Sequence, residues 1–204
     1  MALFQQKVIK EYLQKLDDNN IKKSFEILKE NFGLETQENI SNSTEISMQG
    51  EFVQMLFVDV LGYTANPKPK FNIKREKNSS SSKERADAAI IKDNDETKII
   101  GVIELKDKKT SDLQTIESQV FGYFQQHQPL CRYAITSNYQ HIRLYVDDKY
   151  YNEQFDIYDL VQVEQDEKKG KEKYERFKEL YLYLNKDFVL GVIQKIIPPF
   201  EMTV

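Results

Sequence analysis

The 204-residue chain contains 29 basic and 33 acidic side chains, with a formal net charge of -4, and 40% of its residues are hydrophobic. This balance predicts a soluble globular protein and argues against a chain that is disordered throughout or that binds nucleic acid through a uniformly basic surface. The single cysteine, Cys131, excludes an intrachain disulfide framework, and its apolar surroundings favour a small buried side chain over a nucleophile.

Two helices are predicted first, because apolar residues recur at helical spacing from residue 2 to 16 and again from about 20 to 32. Asn20 is the expected cap of the second helix. We expect residues 1–34 to form a helical hairpin that packs on the rest of the protein. The polar stretch 35–44 predicts a loop.

A third helix is predicted from residues 42–44 to Leu61, with Asn42 and Glu45 at the spacing of a capping pair. Gly62 is expected to end it. Glu51 lies near the start of this helix, at the edge of its apolar stripe. A carboxylate in that position is usually solvated, and the alternative is that it contributes to an active site.

The segment from residue 64 to 85 is basic and irregular, and it includes a run of four serines. One interpretation is a loop that follows DNA phosphates, and the other is a solvated edge strand protected by its charges. The candidate DNA-binding residues in this segment are Lys74, Arg75, Lys83 and Arg85.

A β-hairpin is predicted next, with strands at 86–92 and 98–106 joined by a polar turn. Asp87, Glu104 and Lys106 interrupt strands that otherwise look buried. Glu104 and Lys106 are two residues apart and so point to one face of their strand, and antiparallel pairing can bring Asp87 beside them. Burial of such charges is costly unless they are paired or bound to a metal.

Two carboxylates can hold a divalent cation through oxygen ligands, and a neighbouring lysine can orient water or stabilise charge on a phosphate. The alternative is an exposed hairpin face that carries an ordinary glutamate–lysine pair. A helix is predicted over residues 112–127, with Gln119 and Tyr123 on one face because they are one turn apart. Strands are predicted at 131–136 and 142–146.

The order of these elements resembles the PD-(D/E)XK nuclease superfamily, and more narrowly the N-terminal endonuclease domain of type IIG restriction-modification enzymes and related type I restriction subunits. The matching pieces are LGY at 61–63, ADAAI at 86–90, GVIELK at 101–106, Gln119 with Tyr123, TSNYQHIRLY at 136–145 and FDIYDL at 155–160. Ala86 stands where the family motif has proline, a residue that supplies no ligand.

The resemblance implies an α/β fold with a restriction-endonuclease-like core, in which helices flank a central mixed sheet. The nuclease core would cover residues 35–163, between the N-terminal hairpin and a C-terminal helical extension at 164–204.

The resemblance also implies a DNA endonuclease that depends on Mg²⁺, for which Mn²⁺ can substitute, and that acts on double-stranded DNA. Asp87 and Glu104 would bind the metal, and Lys106 would position or activate water. Gln119 and Tyr123 would support the site or contact DNA. Glu51, or Glu45 in its place, would be the carboxylate of the first core helix and would reach the metal through water.

A methyltransferase or specificity region is expected in the same longer chain. No apolar run approaches about 18 residues and the N-terminus lacks a signal-peptide core, so we expect a cytoplasmic protein that does not bind membranes. Two alternatives stay open. One is a non-catalytic nucleic-acid-binding or scaffold domain with a nuclease-like fold, and the other is an α/β domain with an unrelated partner.

Overall fold

The computed structural model describes residues 6–75, 86–92, 94–127, 129–146, 149–150 and 154–192, apart from the side chains of residues 6–10, 45–46, 149–150 and 192. In these ranges, helices flank a mixed β-sheet, which confirms the predicted α/β class. None of the helices in these ranges is long and apolar enough to cross a membrane.

The helices before the sheet are α1 (Gln6–Lys15), α2 (Asp18–Asn31), α3 (Leu34–Asn42) and α4 (Glu45–Phe52), and a π-helical segment, Val53–Val60, continues α4. The loop expected at 35–44 is wrong, because α3 occupies most of it. Ile40 is buried and anchors α3, while the Gln37 side chain donates to the carbonyl of Phe32 at 2.8 Å. A polar helix with so few apolar anchors has no periodic stripe for sequence patterns to detect.

The predicted helix caps are also corrected. Asp17 rather than Asn20 caps α2, and Thr44 rather than Asn42 caps α4. In each case the side-chain oxygen of the residue just before the helix accepts an N–H of the first turn, as capping requires. Gly62 follows the π-helical segment with φ of +80°, a left-handed conformation that favours glycine, so the predicted helix end is confirmed.

The strands of the described residues are β1 (Ile73–Arg75), β2 (Ala88–Lys92), β3 (Asp95–Leu105), β4 (Tyr133–Ser137), β5 (His141–Val146), β6 (Lys149–Tyr150) and β7 (Phe155–Asp156). Their order is β1-β2-β3-β4-β5-β6, and β7 also pairs with β5. The β3–β4 pair is parallel, and the other pairs are antiparallel. A parallel pair needs a crossover connection, and here it contains a 3₁₀ segment, Leu113–Ile116, and α5 (Glu117–Gln126).

The two faces of the sheet differ in their cover. Helix α5 packs on one face, where Val120 and Phe124 join a small apolar cluster with Val102, Ala134 and Tyr145. The larger core lies on the other face, under α2, α4, the π-helical segment and the C-terminal helices. Those C-terminal helices are α6 (Ile157–Val161), α7 (Glu167–Leu184) and a final π-helical segment, Phe188–Val192.

Contacts between distant segments hold the larger core together. The ring of Phe25 in α2 stacks on that of Phe177 in α7, with centroids 4.7 Å apart. The hydroxyl of Tyr133 in β4 donates to the backbone carbonyl of Tyr183 in α7 at 2.6 Å. Described residues from each of the predicted segments 1–34, 35–163 and 164–204 therefore contribute to this larger core.

Candidate active site

The hairpin of β2 and β3 sets two carboxylates side by side. Ala88 pairs with Ile103, and the same register continued by one residue sets Asp87 opposite Glu104. Asp87 Oδ2 accepts a hydrogen bond from the backbone N–H of Leu105 at 2.6 Å. This bond ties the Asp87 carboxylate to the strand that carries Glu104.

Glu104 is a buried carboxylate, only 3% exposed, at the end of β3. Its Oε1 accepts hydrogen bonds from Lys106 Nζ at 2.5 Å and from Gln119 Nε2 at 2.9 Å. Its Oε2 accepts from the hydroxyl of Tyr123 at 3.2 Å. A buried carboxylate costs several kcal/mol unless it is paired, so these donors are what make its position tolerable.

Helix α5 delivers Gln119 and Tyr123 to the carboxylate from one face, because the two residues are one turn apart. The Gln119 carboxamide donates to the Tyr123 hydroxyl at 2.7 Å as well as to Glu104. Val120 and Phe124 are buried against the sheet and fix the rotation of the helix. The polar pair is therefore held in place by an apolar one.

The Tyr123 hydroxyl acts as a hydrogen-bond donor over the ordinary pH range. Burial raises the pKa of Tyr123 well above its usual value, and the negative charges of Glu104 and Asp87 raise it further. A protonated hydroxyl donates its hydrogen to a carboxylate, whereas a phenolate would repel it.

Gln49 of α4 belongs to the same cluster, although it was not among the residues expected from the sequence. Its Nε2 donates to Asp87 Oδ1 at 2.7 Å, so both oxygens of the Asp87 carboxylate are held by the protein. A signal was present in the sequence. Gln49 lies four and seven residues before the buried Val53 and Leu56, so it is a polar residue on the apolar stripe of its helix.

Glu51, the acidic residue expected to come from this helix, has an exposed side chain. Positions two apart on a helix point in nearly opposite directions, so Glu51 projects away from the side on which Gln49 meets Asp87. The structure therefore brings a carboxamide, not the Glu51 carboxylate, to the cluster from α4. The alternative candidate, Glu45, is the first residue of α4, and its side chain lies outside the described part of the chain.

The predicted DNA-binding residues divide into three groups. Lys74 forms an ion pair with Glu96, with Nζ 2.5 Å from Oε2. Arg75 extends toward the π-helical segment that continues α4, where its Nη2 donates to Gln54 Oε1 at 3.0 Å. Lys83 and Arg85 lie outside the described residues.

The cluster offers two carboxylates as possible ligands for a metal ion. Among the described residues, no group of three or more His, Cys, Asp or Glu side chains is arranged to hold a metal ion. Asp87 and Glu104 supply two carboxylates, and Mg²⁺ is usually held by one or two carboxylates together with waters and substrate phosphates. A carboxylate offers about four acceptor sites, so the hydrogen bonds already present leave capacity for a cation.

Cys131 lies in the apolar cluster under α5 and is 2% exposed. Burial raises the pKa of its thiol to about 12. Because the thiolate is the nucleophilic form, a thiol that stays protonated at neutral pH is inert. This agrees with the interpretation of Cys131 as a small core side chain.

Comparisons with protein-family models, with curated proteins and with solved structures each found no match to this chain.

Proposed function

We propose that this protein is a Mg²⁺-dependent DNA endonuclease domain of the PD-(D/E)XK type, which hydrolyses phosphodiester bonds in double-stranded DNA. The observation that supports it best is the convergence of Asp87, Glu104 and Lys106 at the adjoining ends of β2 and β3. Gln119 and Tyr123 approach the same carboxylate from α5, as their place in the resemblance implies.

Asp87 and Glu104 are the residues that would hold the cation. Both present oxygen, which Mg²⁺ prefers and Mn²⁺ accepts. When bound, the ion would supply a positive charge to polarise the phosphate and to favour ionisation of water. The chain itself contributes the fixed placement of the two carboxylates. The Leu105 N–H and Gln49 hold one of them, and α5 holds the other.

Lys106 would act on the reacting phosphate and the attacking water. Its side chain is 24% exposed, whereas that of Glu104 beside it is 4% exposed, so the ammonium lies between the buried carboxylate and solvent. A positive charge fixed there can donate a hydrogen bond to water or to a phosphoryl oxygen as negative charge develops. Such a contribution appears in the rate of cleavage more than in DNA affinity.

The type IIG restriction-modification enzymes are the narrower class that we propose. In that class the nuclease domain precedes a methyltransferase or specificity region of the same longer chain, and the enzyme acts in the cytoplasm. The support for this narrower assignment is the order of motifs from LGY at 61–63 to FDIYDL at 155–160. Base recognition would then reside outside these 204 residues.

A non-catalytic domain that binds nucleic acid or serves as a scaffold is the second candidate. The observation that favours it is the hydrogen bonding of the cluster, in which every oxygen of Asp87 and Glu104 accepts a bond from the protein. A satisfied cluster can be a structural feature that needs no cation. The two candidates differ in whether these carboxylates bind a divalent metal and support cleavage.

Cleavage of supercoiled plasmid DNA with Mg²⁺ or Mn²⁺ separates the two candidates, together with calorimetric titration of Mn²⁺. Asp87→Asn keeps the shape of the side chain, and we expect it to abolish Mn²⁺ binding and cleavage. Lys106→Met should lower the cleavage rate about 10²- to 10³-fold while DNA affinity changes little.

Lys98→Met is the matched control for the lysine substitution. Lys98 lies on the same strand in an exposed pair with Asp95, away from the cluster, so the variant should cut at the wild-type rate. If Lys106→Met also cuts at the wild-type rate, Lys106 has no part in cleavage and its assigned role is wrong. If the wild-type protein neither binds Mn²⁺ nor cuts DNA, the endonuclease proposal fails and the scaffold candidate takes its place.

A further inference from the structure

Arg75 lies next to the candidate active site, and it is near it both through its strand, β1, and through helix α4. It is the last residue of the edge strand β1, and its Cα pairs with that of Ala88, the residue directly after Asp87. On the helix side, a Cβ added to Gly50 would lie 3.6 Å from Nη1 of Arg75, an ordinary van der Waals distance, so the guanidinium lies beside α4 near Gly50. Gly50 directly follows Gln49, whose side chain donates to Asp87.

The hydrogen bonding of the guanidinium leaves part of its donor capacity unused. Nη2 donates to the neutral side-chain oxygen of Gln54 at 3.0 Å, and Nε is buried with no hydrogen-bond partner in the structure. A guanidinium carries five N–H donors in a planar fork that matches carboxylate and phosphate oxygens. Because Nε is shielded from solvent, the donors that remain for an anion are those at the Nη1 and Nη2 end of the guanidinium.

Arg75 and its neighbour Lys74 differ in whether they form an ion pair with a described residue. Successive side chains of a strand point to opposite faces, and Lys74 is paired with the Glu96 carboxylate on the face away from α4. Within the described part of the chain, no carboxylate forms an ion pair with Arg75. A half-buried cation without a counter-ion is costly, and an anionic ligand would remove that cost.

We propose that Arg75, which lies beside Gly50 and is oriented by Gln54, binds a backbone phosphate of the DNA next to the phosphate that a cation at Asp87 and Glu104 would bind. This inference rests on the proposed function, since it assumes that DNA is the substrate. It assigns Arg75 a positioning role in which strand and helix fix the register of the DNA relative to the carboxylates.

The salt dependence of DNA binding tests this site directly. Equilibrium binding of a labelled duplex would be measured in EDTA, so that no cleavage occurs, between 50 and 200 mM salt. Loss of one phosphate contact lowers the slope of log affinity against log salt by about 0.9. We expect Arg75→Gln to lower the slope by about that amount and to weaken binding roughly tenfold.

Two further variants distinguish a phosphate contact from a structural one. Arg75→Lys keeps a cation but loses the fork, so it should weaken binding while the slope stays near the wild-type value. Lys98→Gln removes an exposed cation from β3, which is separated from β1 by β2. It should leave both the DNA affinity and the salt slope unchanged. Thermal unfolding of each variant checks that the fold is intact, and if Arg75→Gln does not fold, Arg75→Lys carries the test.

The inference is overturned if Arg75→Gln binds with the wild-type slope, if Lys98→Gln lowers the slope equally, or if the wild-type protein does not bind DNA. Its failure can be separated from failure of the endonuclease proposal. Metal-dependent cleavage with an unchanged slope for Arg75→Gln would reject only the phosphate site. A lowered slope in a protein that does not cut with Mg²⁺ would support the site and reject the nuclease.

Discussion

The two faces of the sheet each have a buried tyrosine, and the two hydroxyls donate to different kinds of acceptor. On the face covered by α7, the Tyr133 hydroxyl donates to a backbone carbonyl, that of Tyr183. On the face covered by α5, the Tyr123 hydroxyl donates to the side-chain carboxylate of Glu104. Both tyrosines are 1% exposed, so burial alone does not distinguish them.

The two hydrogen bonds differ in whether the acceptor can change its partner while the protein stays folded. A backbone carbonyl at the end of α7 is fixed by the helix, so the Tyr133 bond can only fasten β4 to that helix. A side-chain carboxylate can exchange a hydrogen bond for a ligand while the strand stays in place. Bonds between side chains at the end of a sheet can therefore be exchanged for a ligand without loss of the fold, whereas the bond from Tyr133 to the backbone can only stabilise packing.

The largest effect that separates the two faces is expected from Phe177→Ala. Phe177 is fully buried in the larger core and stacks on Phe25. Its removal should lower the free energy of unfolding by about 3–5 kcal/mol, measured by urea denaturation. Cleavage per folded molecule should not change, because this core lies on the face of the sheet opposite α5.

Leu34→Ala is the matched apolar control for that core variant. Leu34 is 79% exposed at the start of α3, and its loss should change stability by less than about 0.5 kcal/mol. Equal destabilisation by the two variants would contradict the assignment of Phe177 to the centre of the core.

The next effect concerns Gln49, the carboxamide that fixes Asp87. Partners that orient a metal ligand typically contribute 10- to 100-fold to metal affinity or activity. We expect Gln49→Ala to weaken Mn²⁺ binding by that factor in calorimetry, with only a small change in stability. Glu51→Gln, two residues along the same helix, should have a much smaller effect because its side chain is exposed. The reverse order would restore Glu51 as the residue that α4 contributes.

Sequence patterns predicted those parts of the fold that depend on local periodicity. The strands at the centre of the sheet have β-branched and apolar runs, and α5 has an apolar stripe, so each was expected close to its observed place. Helix α3 lacks such a stripe and was missed. The packing of α7 on α2 was also unpredicted, since contacts between distant segments leave no local pattern in one sequence.

The site was predictable where its residues share a strand or a helix face. The two-residue spacing of Glu104 and Lys106 and the four-residue spacing of Gln119 and Tyr123 each determine a common direction. Gln49 meets Asp87 only through tertiary packing, and a carboxamide is not a conspicuous ligand. The sequence also could not separate Lys74 from Arg75, because that depends on which face of β1 meets α4.

A pair of tyrosine substitutions tests the contrast between the two faces most directly. Tyr133→Phe leaves the carbonyl of Tyr183 without its donor and should cost about 1–3 kcal/mol of stability, with cleavage per folded molecule unchanged. Tyr123→Phe removes a donor from Glu104 and should mainly alter Mn²⁺ affinity and cleavage. Urea denaturation and plasmid cleavage of both variants provide the comparison. If the two variants lose stability and cleavage to the same extent, the two hydroxyls have the same role and the contrast between the faces is wrong.

The smallest expected effect concerns Cys131, which is buried on the α5 face but bonds to no residue of the carboxylate cluster in the described part of the chain. The ordinary pKa of a thiol is near 9, and burial raises that of Cys131 to about 12.

Below pH 9 the thiol is protonated in both the folded and the unfolded chain, so its contribution to stability is fully present. As the pH rises above 9 the unfolded thiol ionises first, and the contribution is progressively lost up to pH 12. The free energy of unfolding should therefore fall by about 1.4 kcal/mol more for the wild-type protein than for Cys131→Ala between pH 8 and pH 10. Parallel curves for the two proteins would mean that the thiol is accessible to water and does not belong to the apolar cluster.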